Sequence, residues 1–368
     1  MVLAAPELVE AQPVQVLGEV EVSLELQRRV FTRRVVRCEE GSETQTGHAP
    51  MVGSDEIPTA TGPHVCDDLA MSHVVLRAPV DGDVEAMSRV VDAQDVAWWG
   101  APDGDVDDLR DELERVRAAA GSLGDGARVA VVDGAIVGVA LLVGHGHTSV
   151  AVDASEVDGA LIRRALLEWI TSLGDVEVEA PSQDVDRRHD LEAFGLAPTR
   201  SSFELERPGD GSDLPAMRWP EGVASAPFRP GVDDEELHRM IYSFWTDVPG
   251  HTDRPLDEWR SLFVQGSWFD PELVVIARSD EGAGPIVGCA LGRTFTGDVG
   301  WISQLGVART ARGLGLGRTV LVEACRRLSA LDPRIIGLGV EAENANALGL
   351  YRSVGFEVVR EWVHYARR

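Results

Sequence analysis

The chain has 368 residues, enough for two domains with sizeable cores. Its 61 acidic against 34 basic residues give a formal net charge of -27, which argues against a nucleic-acid backbone as partner. No stretch stays apolar for ~18 residues, so no helical membrane span is expected, and with no evident signal peptide the cytoplasm is the default expectation.

In chain order, residues 1-71 mix charged and apolar residues without a sustained period. They read as a disordered N-terminal extension, with Met71 as an alternative start before the first clean pattern. Over 72-208 the spacing predicts a strand at 74-78, helices at 83-96 and 106-119, and strands at 128-132 and 136-143 joined by Asp133-Gly134. A strand at 148-152, a helix at 157-173, a strand at 176-180 and a helix at 186-194 follow. Residues 209-223, rich in Gly, Asp, Pro and Ser, read as a linker. Over 224-368 the same order returns, beginning with a strand at 227-229, helices at 233-244 and 256-263, and strands at 273-278 and 286-294. The order β-α-α-β-β-β-α-β-α-β thus occurs twice, the mark of an internal duplication.

The second copy carries the sharper signal. An apolar run at 301-307 precedes Arg312-Gly313-Leu314-Gly315-Leu316-Gly317-Arg318, and helical spacing resumes over 319-328. This reads as strand, glycine-rich turn, helix. Glycines let the backbone take positive φ and approach a ligand closely. The first N–H groups of the next helix have no internal partner and favour an anion. The chain has no Lys, so the P-loop signature is excluded. A strand at 335-340 comes next, then Asn344-Ala345-Asn346-Ala347 and Tyr351-Arg352-Ser353-Val354-Gly355-Phe356.

Arg-x-x-Gly-x-Gly, a strand, Asn-x-x-Ala and Tyr-x-x-x-Gly-Phe, in this order, resemble the GNAT superfamily of acetyl-CoA-dependent N-acetyltransferases over residues 224-368. The segment Trp268-Phe269-Asp270-Pro271-Glu272 is similar to one in the tandem members of the mycothiol synthase kind. The resemblance implies an α/β fold (an α+β mixed sheet). It would hold two tandem GNAT-like domains, each a mostly antiparallel, splayed sheet flanked by helices. It implies acetyl-CoA as co-substrate and no metal. The backbone of Leu305, Gly306 and Val307 would bond the pantetheine arm. Arg312, Gly313, Leu314, Gly315, Leu316, Gly317 and Arg318 would cradle the diphosphate. Asn344 would either cap the final helix or bond the cofactor arm. Tyr351 would stabilise the leaving thiolate. The loop 244-251 would line the acceptor cleft.

The general base is not evident. Mycothiol synthase-like enzymes carry a carboxylate four residues before Leu305-Gly306-Val307, where this chain has Trp301. Protein-alanine acetyltransferases carry one twelve residues before the tyrosine, where this chain has Gly339. His251, Asp247, Glu341 and a water held by Ser303 or Gln304 remain as candidates; among these, His251 is the one assigned a catalytic role.

The first copy departs from the pattern. Its turn reads Asp153-Ala154-Ser155-Glu156-Val157-Asp158-Gly159, with carboxylates where a diphosphate would sit, and Leu191 occupies the tyrosine position. It is expected to have lost cofactor binding and to wall the active domain. Cys38, Cys66, Cys289 and Cys325 show no metal or disulfide spacing. The expected function is acetyl transfer to a primary amine of a small molecule. The alternatives are mycothiol synthesis, which acetylates a cysteinyl amine, and a non-catalytic acyl-CoA sensor. No nucleic-acid or membrane partner is expected, and the oligomeric state is left open. Without a dedicated base the acceptor should be a low-pKa amine. A lysine-type amine of pKa about 10.4 is neutral in about one molecule in 2,500 at pH 7, whereas an α-amine near 7.8 is neutral in about one in seven.

Overall fold

Apolar alternation and helical periodicity build the first repeat as β1 (Val75–Arg77), α1 (Val84–Trp99), α2 (Val106–Ala120), a short α3 (Leu123–Gly126), β2 (Ala127–Val132), β3 (Ala135–Gly144), β4 (His147–Val152), α4 (Gly159–Ser172), β5 (Glu177–Pro181), α5 (Val185–Ala193) and β6 (Ala197–Pro208). The second comprises β7 (Ala224–Ala226), α6 (Asp234–Tyr242), α7 (Leu256–Phe263), β8 (Val274–Arg278), β9 (Ile286–Phe295), β10 (Val299–Val307), α8 (Leu316–Ser329), β11 (Ile335–Glu341), α9 (Ala345–Arg352) and β12 (Glu357–Ala366). This computed structural model describes residues 74-144, 147-153, 155-156, 158-243, 254-265, 269-295 and 298-367. The expected N-terminal extension, Cys38 and Cys66, the loop residues Asp247 and His251, and Trp268 lie outside them.

The strands form one 12-stranded sheet, in the order β1-β2-β3-β4-β5-β12-β6-β11-β10-β9-β8-β7. The repeats exchange their last strands. β6 ends the first repeat but pairs antiparallel with β11, from Ile335↔Pro208 to Glu341↔Ser202. β12 ends the second but pairs antiparallel with β5, from Trp362↔Pro181 to Tyr365↔Val178. β6 and β12 then pair with each other at the centre.

Strand alternation divides the side chains between two faces. On one face of the second repeat, α8 packs through Leu316, Val320, Leu321 and Leu328 against Ala290, Ile302 and Leu305. On the other, α6 and α7 pack through Leu237, Ile241, Trp259 and Phe263 against Ile276, Cys289 and Leu291. The first repeat repeats this, with α4 on Val150 and Val178 and α1 and α2 on Val129, Val139 and Leu141. Each helix owes its place to one apolar stripe; burying a Leu or Ile side chain contributes about 2 kcal/mol.

Three local expectations change. β7 lies at Ala224–Ala226 rather than 227-229, because Pro227 has no N–H for a sheet. α8 begins at Leu316 rather than 319. Residues 209-223 do not hang loose: Leu214, Met217, Trp219 and Val223 pack on the α8 cluster, and the Thr319 hydroxyl donates to the Arg218 carbonyl at 3.0 Å. Cys289 and Cys325 are buried free thiols, and burial pushes the Cys325 thiol up to about 12.

Candidate active site

The site begins where two strands part. β10 and β11 run parallel and pair from Val299↔Ile335 only as far as Ile302↔Leu338. At that point β10 bulges, with the register against β9 shifting between Ile302 and Gln304. A bulge bends its strand and increases local twist, so β10 swings away from β11. Beyond Ile302 the β11-facing edge of Ser303 to Val307 pairs with no strand among the described residues. Leu305, Gly306 and Val307 lie on this edge, at the place expected for an extended ligand that bonds like a strand.

The glycine turn closes the same end. Gly313 and Gly315 sit at φ 78 and φ 77, in the left-handed region. A Cβ built on either would meet nothing within 4 Å, so positive φ, not crowding, requires glycine there. Gly315 is the N-cap of α8 and offers no side-chain cap. The N–H groups of Gly313 through Arg318 donate to no backbone carbonyl among the described residues. With α8 starting at Leu316, the first-turn N–H groups are those of Leu316, Gly317 and Arg318. Leu316 anchors this turn in the core with 1% exposure, whereas Leu314 is exposed. The Arg318 guanidinium donates to Ser353 Oγ at 2.6 Å. Arg312 Nε donates to the Val307 carbonyl at 3.3 Å, tying the turn to the free edge. Burial and the neighbouring Arg309 hold Arg312 below its ordinary pKa. The arrangement fits a ligand with an anionic end at α8 and an extended arm along β10.

Asn344 Oδ1 accepts from the Ala347 N–H at 3.0 Å, so its carboxamide oxygen caps α9. Tyr351 is buried on α9, with its ring centroid 6.1 Å from that of Phe356. It shares a cluster with Leu305 and Val340, one on each side of the split.

The opposite face of the split is turned away from α8: a Cβ on Gly300 would meet Leu328, and Trp301 follows Gly300 in the strand. Trp301 is fully buried there, and a Cβ on Gly337 would lie 2.5 Å from its ring. An indole therefore fills the fourth-strand position that carries a carboxylate in the resembling enzymes. The Ser303 hydroxyl is engaged with the Leu291 carbonyl at 3.2 Å, while the buried Gln304 Oε1 accepts no hydrogen bond among the described residues. Residues of β6 complete this face. Glu204 is opposite Gly339 and Ser202 opposite Glu341. Arg200 Nη1 donates to Glu341 Oε1 at 2.5 Å, and Arg200 Nη2 to Glu177 Oε1 at 2.5 Å. His364 Nδ1 lies 3.0 Å from Glu177 Oε1, and His364 Nε2 lies 2.9 Å from Ser202 Oγ. Burial alone would raise Glu177, but His147, His364 and Arg200 outweigh it and hold its carboxyl far below the usual range. Arg200, Ser202 and Glu204 were not anticipated here, because they belong to the other repeat in sequence. The alternation Phe203-Glu204-Leu205-Glu206 was the available signal: acidic residues every second position on a strand flanked by apolar ones.

The first repeat has the same split, differently occupied. β4 and β5 pair only at His147↔Glu177 and Thr148↔Val178. Arg187 from α5, 2% exposed, bridges the gap. Its Nη2 donates to the Val150 carbonyl of β4 at 2.8 Å and its Nε to the Glu179 carbonyl of β5 at 3.2 Å. Gln94 Oε1 accepts from Arg187 Nη1 at 3.1 Å and from the Val152 N–H at 3.2 Å. The main-chain groups that an extended ligand would use are thus bonded from within. Among the described residues no group of His, Cys, Asp and Glu could hold a metal ion, and no helix is long and apolar enough to cross a membrane.

A sheet split beside an uncapped helix start, duplicated in one chain, defines a tandem acyltransferase architecture. Residues 235–356 match the model of the acetyltransferase (GNAT) family. A mycothiol acetyltransferase of Rhodococcus opacus is 31% identical over 275 residues, which cover 68% of this chain and 87% of that protein. The mycothiol acetyltransferase of Thermomonospora curvata is 27% identical, over 59% of this chain and 75% of that one. Among solved structures, a GCN5-related N-acetyltransferase from Sphaerobacter thermophilus aligns at TM-score 0.67 with 26% identity, covering 80% of this chain and 96% of that one. A tandem GNAT protein from the clavulanic acid biosynthesis pathway shares the fold at TM-score 0.60 and 15% identity, over 80% of this chain and 98% of that one. The chain belongs to the GNAT acetyltransferase family and is an N-acetyltransferase.

Proposed function

We propose that the chain transfers acetyl from acetyl-CoA to the primary amine of a small molecule, and that the second repeat, residues 224-368, holds the cofactor and the reacting groups. The observation that bears this reading is the unpaired edge of β10 leading into the uncapped start of α8. The free edge suits the pantetheine arm, and the N–H groups of Gly313 through Arg318 suit the diphosphate. Tyr351 would hydrogen-bond the departing thiolate. Full proton donation is less favourable, since a free Tyr at about 10 lies above a thiol at about 8.5. Residues 72-208 serve as a wall, and Arg187 in the first split supports their having no cofactor.

The acceptor reading rests on charge. An amine must be neutral to attack, which costs a lysine-type amine about 4.6 kcal/mol at pH 7 and an α-amine about 1 kcal/mol. Carboxylates on the acceptor face favour the ammonium form and penalise the lysine case further. A cysteinyl α-amine or an amino-sugar amine fits best. The relatives named mycothiol acetyltransferase favour the first of these.

The test is kcat/KM for acetyl-CoA with S-methyl-L-cysteine, glucosamine and an Nα-blocked lysine at fixed pH, read by product mass. A preference for the blocked lysine would overturn the acceptor reading. Tight acetyl-CoA binding without turnover of any amine would instead leave a sensor.

A further inference from the structure

We propose that Glu341 is the acid–base residue on the acceptor side of the split, and that Arg200, from the first repeat, is the positioning residue that holds it; this rests on the acetyl-transfer reading above. Pairing of β10 with β11 ends at Leu338, so Gly339 is the first β11 residue on the acceptor face beyond the parting point. Gly339 has no side chain. Two residues on, Glu341 is the first side chain on that face past the split, about 7 Å further along the strand.

Three features suit Glu341 to the role. Its side chain is 32% exposed, so an acceptor can reach it. Its Oε1 is fixed by Arg200 Nη1 at 2.5 Å, while no hydrogen bond among the described residues reaches Oε2. Arg200 is itself clamped, with Nη2 2.5 Å from Glu177 Oε1 and Nε 3.2 Å from Glu177 Oε2. The guanidinium cannot turn away without breaking bonds to a second strand. Glu204, although opposite Gly339, is fully buried and 3.5 Å from Arg360, which leaves Glu341 as the accessible carboxylate.

The chemistry balances as follows. The neutral amine nitrogen attacks the thioester carbonyl carbon and forms the C–N bond. One N–H proton passes to Glu341 Oε2, directly or through one water. The C–S bond breaks, and the coenzyme leaves as a thiolate that Tyr351 hydrogen-bonds. Glu341 then returns its proton to solvent or to the thiolate.

The charged and titratable groups facing Glu341 are Arg200 and Glu204 on β6, His364 and Arg360 on β12, Glu177 and Glu179 on β5, and His147 on β4. Arg200 is the one in direct contact.

The experiment compares wild type, Glu341→Gln and Arg200→Ala, with S-methyl-L-cysteine and glucosamine as acceptors, across pH 5 to 9. Glu341→Gln keeps an oxygen for Arg200 and is expected to preserve the fold and acetyl-CoA affinity. Its kcat/KM should fall by roughly 10²- to 10⁴-fold, with loss of the low-pH limb. Arg200→Ala should lower kcat with little change in KM for acetyl-CoA and move that limb to higher pH, which a merely structural arginine would not do; Arg200→Lys should recover part of the rate. Wild-type turnover matched within threefold by Glu341→Gln at every pH overturns the proposal alone. No wild-type turnover with either amine overturns the acetyl-transfer reading and the proposal with it.

Discussion

Replacing Gly315 by Asp tests the proposed diphosphate cradle most directly. Two effects must be separated. At φ 77 any L-residue is strained, by about 1–2 kcal/mol. No atom lies within 4 Å of the new Cβ, so no clash adds to this. Gly315→Ala therefore isolates the strain and should lower Tm by about 2–8 °C. Gly315→Asp adds a carboxylate at the start of α8, and a separation of about 5 Å from a bound phosphate charge is taken for the calculation. At an effective dielectric of about 20, that repulsion is roughly 3 kcal/mol per charge pair, or a 10²-fold loss of affinity. The assay is titration calorimetry with acetyl-CoA, at low salt and at 0.5 M salt, alongside Tm. Ala should bind within tenfold of wild type. Asp should lose at least 10²-fold at low salt and recover part of it at high salt. Equal losses for Ala and Asp, or an Asp effect indifferent to salt, would refute the anion-site reasoning.

Tyr351→Phe keeps the ring against Phe356 and removes the hydroxyl; turnover should fall by roughly 10²-fold with acetyl-CoA affinity nearly unchanged, and equal turnover would reassign Tyr351 to packing. Calorimetry on the wild type should give one acetyl-CoA per chain. Arg187→Ala unbonds the Val150 and Glu179 carbonyls and Gln94, so it should cost about 3 kcal/mol or more in denaturant unfolding; a second cofactor bound by the wild type would show that Arg187 does not close the first split. Glu177 titrates far lower folded than unfolded, so its stabilisation is present above the unfolded value of about 4.3 and is lost as pH falls toward the folded one. Glu177→Gln should accordingly be less stable than wild type at pH 7, with the gap narrowing below about pH 4; a gap that stays constant down to pH 2 would contradict the ion-pair cause.

What could be read from the chain followed local rules. The glycine turn was legible because positive φ at Gly313 and Gly315 is a local backbone demand. The duplicated element order was legible because apolar periodicity is local too, and the order observed matches it in both repeats apart from the short α3 of the first. The start of α8 was set three residues late, since Leu316-Gly317-Arg318 looks like turn chemistry until Leu316 is seen inserting into the core. The packing of residues 209-223 was not legible for a similar reason. Their Gly and Asp residues read as a linker, and nothing local shows that Leu214, Met217 and Trp219 pack on α8. The acceptor face was out of reach for a different cause. It is built by pairing Glu341 with Ser202, 139 residues away, and no local pattern encodes a strand exchange.

That exchange gives the first repeat a structural part in the second split. A split sheet needs support on the far side of its splayed strand. β11 has lost β10 as a neighbour beyond Leu338, so its remaining edge must carry it. β6 pairs with β11 through Glu341, well past the split, and holds the strand in place where pairing with β10 has stopped. The same strand brings Arg200 and, through it, Glu177 to the acceptor face. The reverse contribution, β12 against β5, supports the first split, which Arg187 bridges. The geometry of one split thus depends on main-chain pairing from the other repeat. Loss of β6 would remove both the support of β11 and the Arg200 contact to Glu341.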